Sequence, residues 1–84
     1  MPEIVIYSTQ VCSYCVKAKQ LLSTKGAAFK EIDISRDPAL VAESQNRSGG
    51  RKTVPQIFIG ELHVGGCDVL YALDAAGKLD ELLK

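Results

Sequence analysis

The chain has 84 residues, of which 46% are hydrophobic, and its ten basic residues balance ten acidic ones. A chain of this length forms a single domain with a small core, so each apolar element must contribute to that core. The zero formal charge gives no basis for nonspecific binding to nucleic acid or to a membrane surface. No segment has the pattern of a signal peptide or a membrane span, which predicts a cytoplasmic protein.

The first strand and helix are the strongest local signals. Residues 3–8 contain an unbroken apolar run of the kind that is buried on both faces of an α/β sheet. The next apolar residues recur at helical spacing until Gly26, which predicts a helix that ends there. Its buried face is expected to hold Cys15, Ala18, Leu21 and Leu22, and its water-facing side Lys17, Lys19 and Lys25.

Two cysteines separated by two residues, Cys12 and Cys15, lie where the strand gives way to the helix. The free N–H groups and the dipole at a helix N-terminus favour an anion, and a thiolate at Cys12 is such an anion. Cys15 lies one turn further on, on the same side and closer to the core. We therefore expect a redox pair with unequal roles, in which Cys12 is the nucleophile and Cys15 the resolving thiol.

The middle of the chain predicts an edge strand and a second helix. Residues 28–34 alternate strand formers with charged residues, which is typical of a sheet edge. Asp37 and Pro38 are an N-cap and first-turn pair, and the helix that they begin is expected to end at Gly49. Its narrow buried face holds Leu40, Val41 and Ser44, and residues 51–53 form an exposed loop.

The last third of the chain predicts a hairpin and two helices. Strands at residues 55–59 and 62–64 are joined by a tight turn at Gly60 and Glu61. A helix over residues 67–76 follows, and a short final helix carries Leu79, Leu82 and Leu83. We expect the residues facing the sheet to be Val69, Leu70 and Leu73, and those in or near the core to include Tyr7, Phe29, Phe58 and Tyr71.

The order of elements is β-α-β-α-β-β-α, without an internal repeat. It predicts an α/β fold with a four-stranded mixed sheet, in which a parallel βαβ unit joins an antiparallel hairpin and helices cover both faces. Two other interpretations of the cysteines stay open at this point. They could be incidental thiols, or Cys12, Cys15, His63 and Cys67 could bind zinc, although the spacer between the pairs is far longer than in compact zinc modules.

Three motifs on this succession of elements together resemble a glutaredoxin: Cys12-Ser13-Tyr14-Cys15, Thr53-Val54-Pro55 and Gly65-Gly66-Cys67-Asp68. The match covers nearly the whole chain, residues 1–84. The resemblance implies a thioredoxin fold, a cis peptide bond at Pro55, and glutathione-dependent thiol–disulfide oxidoreductase activity. It also implies glutathione as co-substrate and glutathionylated or disulfide-containing proteins as partners, for a monomeric enzyme.

The resemblance also implies a glutathione site. The backbone of Val54 would pair with the tripeptide as an added strand does. Asp68 and the amides that begin the third helix would hold the γ-glutamyl group, and Arg51 or Lys52 the glycyl carboxylate. The residues of this site are Tyr14, Arg51, Thr53, Val54, Pro55, Gly66, Cys67 and Asp68.

Two positions depart from the common family pattern. Thr9 stands where many glutaredoxins have lysine, so hydrogen bonds from Thr9 or Ser13 become candidates for stabilising Cys12. Ser13 stands where proline is common, and some such proteins hold a [2Fe–2S] cluster between two subunits through the nucleophilic cysteine. A cluster-bound dimer using Cys12 is therefore the alternative function, and a protein reduced by thioredoxin reductase is a third. Cys67 is a candidate for packing at the site or for redox modulation.

Overall fold

A computed structural model describes residues 3–51 and 53–83 of the chain. The strands are β1 (Ile4–Ser8), β2 (Lys30–Asp33), β3 (Gln56–Ile59) and β4 (Leu62–Gly65). The helices are α1 (Ser13–Thr24), α2 (Pro38–Arg47), α3 (Cys67–Ala75) and α4 (Leu79–Leu82). The predicted order of elements is confirmed, and their bounds differ from the predicted ones by one or two residues at most ends.

The sheet is mixed and has the order β2-β1-β3-β4. β1 pairs with β2 in parallel and with β3 antiparallel, and β3 and β4 form the antiparallel hairpin. β2 is an edge strand, as its alternating charges predicted. β3 begins at Gln56 and not at Pro55, because proline has no N–H to contribute to the ladder.

The core lies on both faces of the sheet. One face packs Ile4, Ile6 and Ile57 against α1, α3 and α4, through side chains such as Leu22, Leu70 and Leu79. On the opposite face Val5, Tyr7 and Phe58 pack under α2, where Leu40 and Val41 are only partly buried. Alternation along β1 therefore supplies both cores, as the continuous apolar run predicted.

Two of the predicted side-chain environments are wrong. Val69 is 37% exposed and Tyr71 40% exposed, because α3 turns Leu70 inward and leaves its neighbours at the rim. Lys25 is partly exposed and bonds to Asp74 and Asp80, so it links the end of α1 to α3 and α4. Lys19 pairs with Glu31 of the edge strand at 2.8 Å.

Within the described residues, no helix combines the length and the apolar character needed to span a membrane. The cytoplasmic location and the monomeric state stay predictions.

Candidate active site

Cys12 is itself the N-cap of α1. Its backbone is extended, and its sulfur accepts a hydrogen bond from the Cys15 N–H at 3.1 Å. This bond satisfies one of the amides that have no partner within the helix, and it stabilises negative charge on the sulfur. Among the described residues, the hydrogen bond that reaches this sulfur comes from Cys15 and not from Thr9 or Ser13.

Cys15 is chemically different from Cys12, although only one helical turn separates them. Its side chain is 1% exposed, whereas Cys12 is half-buried. Burial raises the pKa of Cys15 to about 12, and the hydrogen bond and charge of Cys12 act in the same direction. A hydrogen bond with the Thr9 backbone opposes this rise in pKa. At neutral pH Cys15 is thus a protonated thiol beside a more accessible one.

A cleft of about 430 Å³ opens beside Cys12. Its wall next to the cysteine is Val54, whose carbonyl oxygen lies 3.9 Å from the Cys12 sulfur. The peptide bond between Val54 and Pro55 is cis, as the resemblance implied. The cleft is lined by Tyr14, Arg51, Thr53, Val54, Pro55, Gly66, Cys67 and Asp68, which are the residues that the motifs predicted to form one site. Lys52, the second candidate cation, lies outside the described residues.

The start of α3 forms one wall of the cleft. Gly66 is the N-cap and makes no side-chain capping bond, so the first amides of the helix have no partner within it. Asp68 lies in this first turn. A Cβ atom at Gly66 would lie 3.0 Å from the Asp68 carboxylate, so glycine here allows the carboxylate to stand close to the backbone. Donors and an acid therefore face the cleft together.

The loop before β3 brings a positive charge, that of Arg51, to the lining of the cleft. Arg51 is exposed, and its carbonyl accepts a hydrogen bond from Ser48 Oγ at 3.2 Å. Burial lowers the pKa of His63, and the charge of Arg51 lowers it further, so the field of Arg51 extends to the hairpin. The cleft thus carries an arginine and an aspartate as well as free amides.

The family model for glutaredoxin matches the chain over residues 4–64. The chain belongs to the glutaredoxin family. Glutaredoxin 3 of Escherichia coli strain K12 is 55% identical over 84 residues, with all of both chains covered. The solution structure of glutaredoxin from Brucella melitensis has a TM-score of 0.87 and 61% identity, over 100% of this chain and 90% of that one.

The buckwheat glutaredoxin–glutathione complex is also similar, with a TM-score of 0.86 and 34% identity over 95% of this chain and 74% of that one. These likenesses establish the thioredoxin-type fold and an oxidoreductase of thiols and disulfides. Among the residues that the structure describes, no three His, Cys, Asp or Glu side chains are placed to hold a metal ion.

The third cysteine of this glutaredoxin, Cys67, lies between the cleft and a second surface groove. Cys67 is 6% exposed, and burial raises the pKa of its thiol. It lines the cleft beside Cys12 and also a groove of about 450 Å³ between α1 and α3, where Tyr14 and Tyr71 are exposed. Its packing at the site agrees with one of the two roles predicted for it.

Sequence reasoning missed the polar pair that supports the cleft from behind. Gln56 is fully buried in β3 and bonds to Thr53 on one side and to His63 on the other. His63 is half-buried and stacks on Phe58 with ring centroids 4.8 Å apart. The signal in the sequence is a single glutamine inside an otherwise apolar strand, which must find partners when it is buried.

Proposed function

We propose that the protein is a glutathione-dependent oxidoreductase that reduces protein–glutathione mixed disulfides and protein disulfides. One observation carries the proposal: the accessible N-cap sulfur of Cys12 borders a cleft that offers an acid, free amides and a cation. Glutathione has the matching groups, namely an ammonium, two carboxylates and a sulfur. The buckwheat relative, which forms a complex with glutathione, supports the same ligand.

Each part of the tripeptide has a candidate partner in the cleft. The Asp68 carboxylate suits the γ-glutamyl ammonium, and the amides at the start of α3 suit its carboxylate. Arg51 suits the glycyl carboxylate, since guanidinium groups bind carboxylates with two parallel hydrogen bonds. The Val54 backbone, beside the Cys12 sulfur, suits the central cysteine.

The reaction follows from the state of the two thiols. The Cys12 thiolate attacks the glutathionyl sulfur of a mixed disulfide, so that a Cys12–glutathione bond forms and the substrate thiolate leaves and takes a proton from water. The thiolate of a second glutathione then attacks the bound glutathionyl sulfur. Glutathione disulfide is released, and the Cys12 thiolate is regenerated at the helix N-terminus.

Cys15 serves the second route, in which the substrate is a protein disulfide. Once Cys12 is in a mixed disulfide, its negative charge and its hydrogen-bond contribution to the high pKa of Cys15 disappear. The Cys15 thiol then loses its proton more readily and attacks the Cys12 sulfur, so that a Cys12–Cys15 disulfide forms and the reduced substrate leaves. Two glutathione molecules reduce this disulfide and are released as glutathione disulfide. Burial keeps Cys15 out of reach of glutathionylated proteins in solution.

Single serine variants test this assignment. Cys12→Ser should abolish turnover of a glutathione mixed disulfide in an assay coupled to glutathione reductase, because the nucleophile is gone. Cys15→Ser should keep that turnover and lose reduction of protein disulfides. Full activity of the Cys12→Ser variant would refute the proposal, and the retained turnover of Cys15→Ser is the control for replacing a cysteine.

The cluster-bound dimer is not the favoured alternative. Such a cluster needs Cys12 of each subunit together with ligands from outside the chain, whereas the cleft beside Cys12 offers groups that suit glutathione itself. A colourless, active preparation with glutathione agrees with the enzymatic role. A brown dimeric preparation that absorbs visible light would favour the cluster.

A further inference from the structure

Gln56 stands out because it is a polar side chain with 0% exposure in the central part of the sheet. Its amide nitrogen donates to the Thr53 carbonyl oxygen at 2.8 Å and to Thr53 Oγ1 at 3.1 Å. Its amide oxygen lies 2.8 Å from His63 Nε2. A buried amide that bonds at both ends is held in one orientation, because either end left unpaired would cost free energy.

The bond from Gln56 to the Thr53 carbonyl fixes the orientation of the peptide unit between Thr53 and Val54. The Thr53 C=O and the Val54 N–H belong to the same planar peptide unit, and in a trans unit they point in opposite directions. By holding the carbonyl toward the interior, Gln56 directs the Val54 N–H away from it. Thr53 and Val54 both line the cleft, so this orientation presents the N–H to a ligand there.

His63 fixes which way the glutamine amide points. The Gln56 oxygen can only accept, so His63 Nε2 must carry the hydrogen and donate it. The imidazole ring is in turn stacked on Phe58 at an interplanar angle of 27°. The burial that lowers the pKa of His63 favours the neutral ring. His63, Gln56 and Thr53 therefore form a continuous chain from the hairpin to the cleft.

We propose that Gln56, oriented by His63, is a positioning residue for substrate binding: it aims the Val54 N–H at the main chain of the glutathionyl cysteine. The proposal rests on the glutathione-dependent function given above. Gln56 is buried behind the cleft and touches no reacting atom, so its contribution should be to binding and not to the exchange step. The sulfur of Cys12 and its bond to the Cys15 N–H do not depend on it.

Gln56→Met tests the proposal, since methionine is close to glutamine in size and removes both hydrogen bonds. The substrate is the mixed disulfide of cysteine and glutathione. We expect its KM to rise about tenfold, the ratio that corresponds to one misdirected hydrogen bond, while kcat stays within about twofold. The rate at which iodoacetamide alkylates Cys12 should not change. Unchanged KM in the folded variant overturns the proposal, as does an equal loss of Cys12 alkylation.

Tyr7→Phe is the matched control, because Tyr7 is also buried in the sheet. The substitution likewise removes two hydrogen bonds, one with Glu43 and one with Arg47. It lies outside the cleft lining, so its KM should match the wild-type value. If both variants raise KM equally, general destabilisation explains the effect and the positioning role is refuted.

A second pair of variants leaves Gln56 in place and so does not depend on the folding of Gln56→Met. His63→Phe keeps a ring over Phe58 but removes the donor, and KM should rise severalfold. His63→Gln restores an N–H near the position of Nε2 and should return KM toward the wild-type value. Identical KM values for these two variants would count against the proposal. Lack of turnover by the wild-type protein would instead refute the glutathione-dependent function itself.

Discussion

At the scale of single residues, burial gives the three cysteine thiols different reactivities. Cys12 is the N-cap of α1 and is half-buried, whereas Cys15 and Cys67 are buried. A buried thiol resists ionisation because its thiolate loses solvation, and the pKa of Cys15 and that of Cys67 are both raised. Only the thiolate reacts in exchange, so selectivity among the cysteines follows from position in the fold.

Alkylation should reveal this selectivity directly. Because burial raises the pKa of Cys15, its thiol should be almost entirely protonated at pH 8. Brief treatment of the reduced protein with iodoacetamide at pH 8 should therefore add one group, at Cys12, as measured by mass spectrometry of peptides. Labelling of Cys15 should rise as the pH increases toward 12, because a raised pKa keeps the thiol protonated over the interval below it.

The control is the unfolded chain, in which all three cysteines should be alkylated at similar rates once burial is removed. The Cys12→Ser variant should remain almost unlabelled at pH 8. Rapid labelling of Cys15 in the folded protein at that pH would show that burial does not hold its proton.

At the scale of elements, the junction of β4 and α3 depends on two adjacent glycines for different reasons. Gly65 has a φ of +114°, a region that other residues rarely adopt, and its added Cβ would lie 3.4 Å from Val69 Cγ2. Gly66 has an ordinary extended backbone, with φ of −91°, but its added Cβ would lie 3.0 Å from the Asp68 carboxylate. Gly65 is therefore needed for the backbone conformation, and Gly66 leaves room for the carboxylate of Asp68.

Alanine at each position should separate these two roles. Gly65→Ala should destabilise the protein by about 1–3 kcal/mol, the usual cost of a strained backbone conformation, as measured by urea denaturation. Gly66→Ala should leave stability almost unchanged and raise KM for the glutathione mixed disulfide, because the carboxylate of Asp68 must move. A Gly66→Ala variant with wild-type KM would show that the placement of this carboxylate is not critical.

Sequence patterns predicted most of these elements because each pattern has a direct physical cause. The continuous apolar run of β1, the N-cap Asp37 and the motif cysteines all report local requirements. The exposure of side chains on α3 was harder to predict, because the sequence of a nine-residue helix does not fix how the helix is rotated about its axis on the sheet. Val69 and Tyr71 are exposed at the rim of the helix. The bond between Gln56 and His63 could not be predicted either, because it depends on the register in which β3 pairs with β4.

At the scale of the whole molecule, the two faces of the sheet are unequally covered. α1, α3 and α4 bury a continuous cluster that includes Leu22, Leu70 and Leu79. α2 has one buried residue, Ser44, and packs on the sheet through the partly buried Leu40 and Val41 and through polar contacts. Tyr7 donates to Glu43, and Arg47 donates to Tyr7 and lies 4.2 Å above the Phe58 ring. The helix on the thinner face should therefore open at lower free energy than the rest of the protein.

Native-state hydrogen exchange can test this difference with two conservative variants. Tyr7→Phe removes bonds that break both when α2 opens alone and when the whole protein unfolds. Exchange should therefore quicken about thirtyfold in α2 and in β1 alike, since each of the two lost hydrogen bonds costs about 1 kcal/mol. Ile57→Val weakens only the opposite face by about 0.5–1.5 kcal/mol. That variant should quicken exchange in β1 and leave α2 unchanged, because the contacts of Ile57 persist while α2 is open.

The decisive comparison is the rate of the α2 amides in Ile57→Val. If α2 opens independently, these amides exchange faster than those of β1 in the wild-type protein and do not respond to the change at position 57. If the α2 amides exchange at the same rate as those of β1, and if both rates change together in both variants, α2 unfolds only together with the sheet. Polar contacts at Tyr7 and Arg47 would then hold this helix as firmly as the apolar cluster holds the other three.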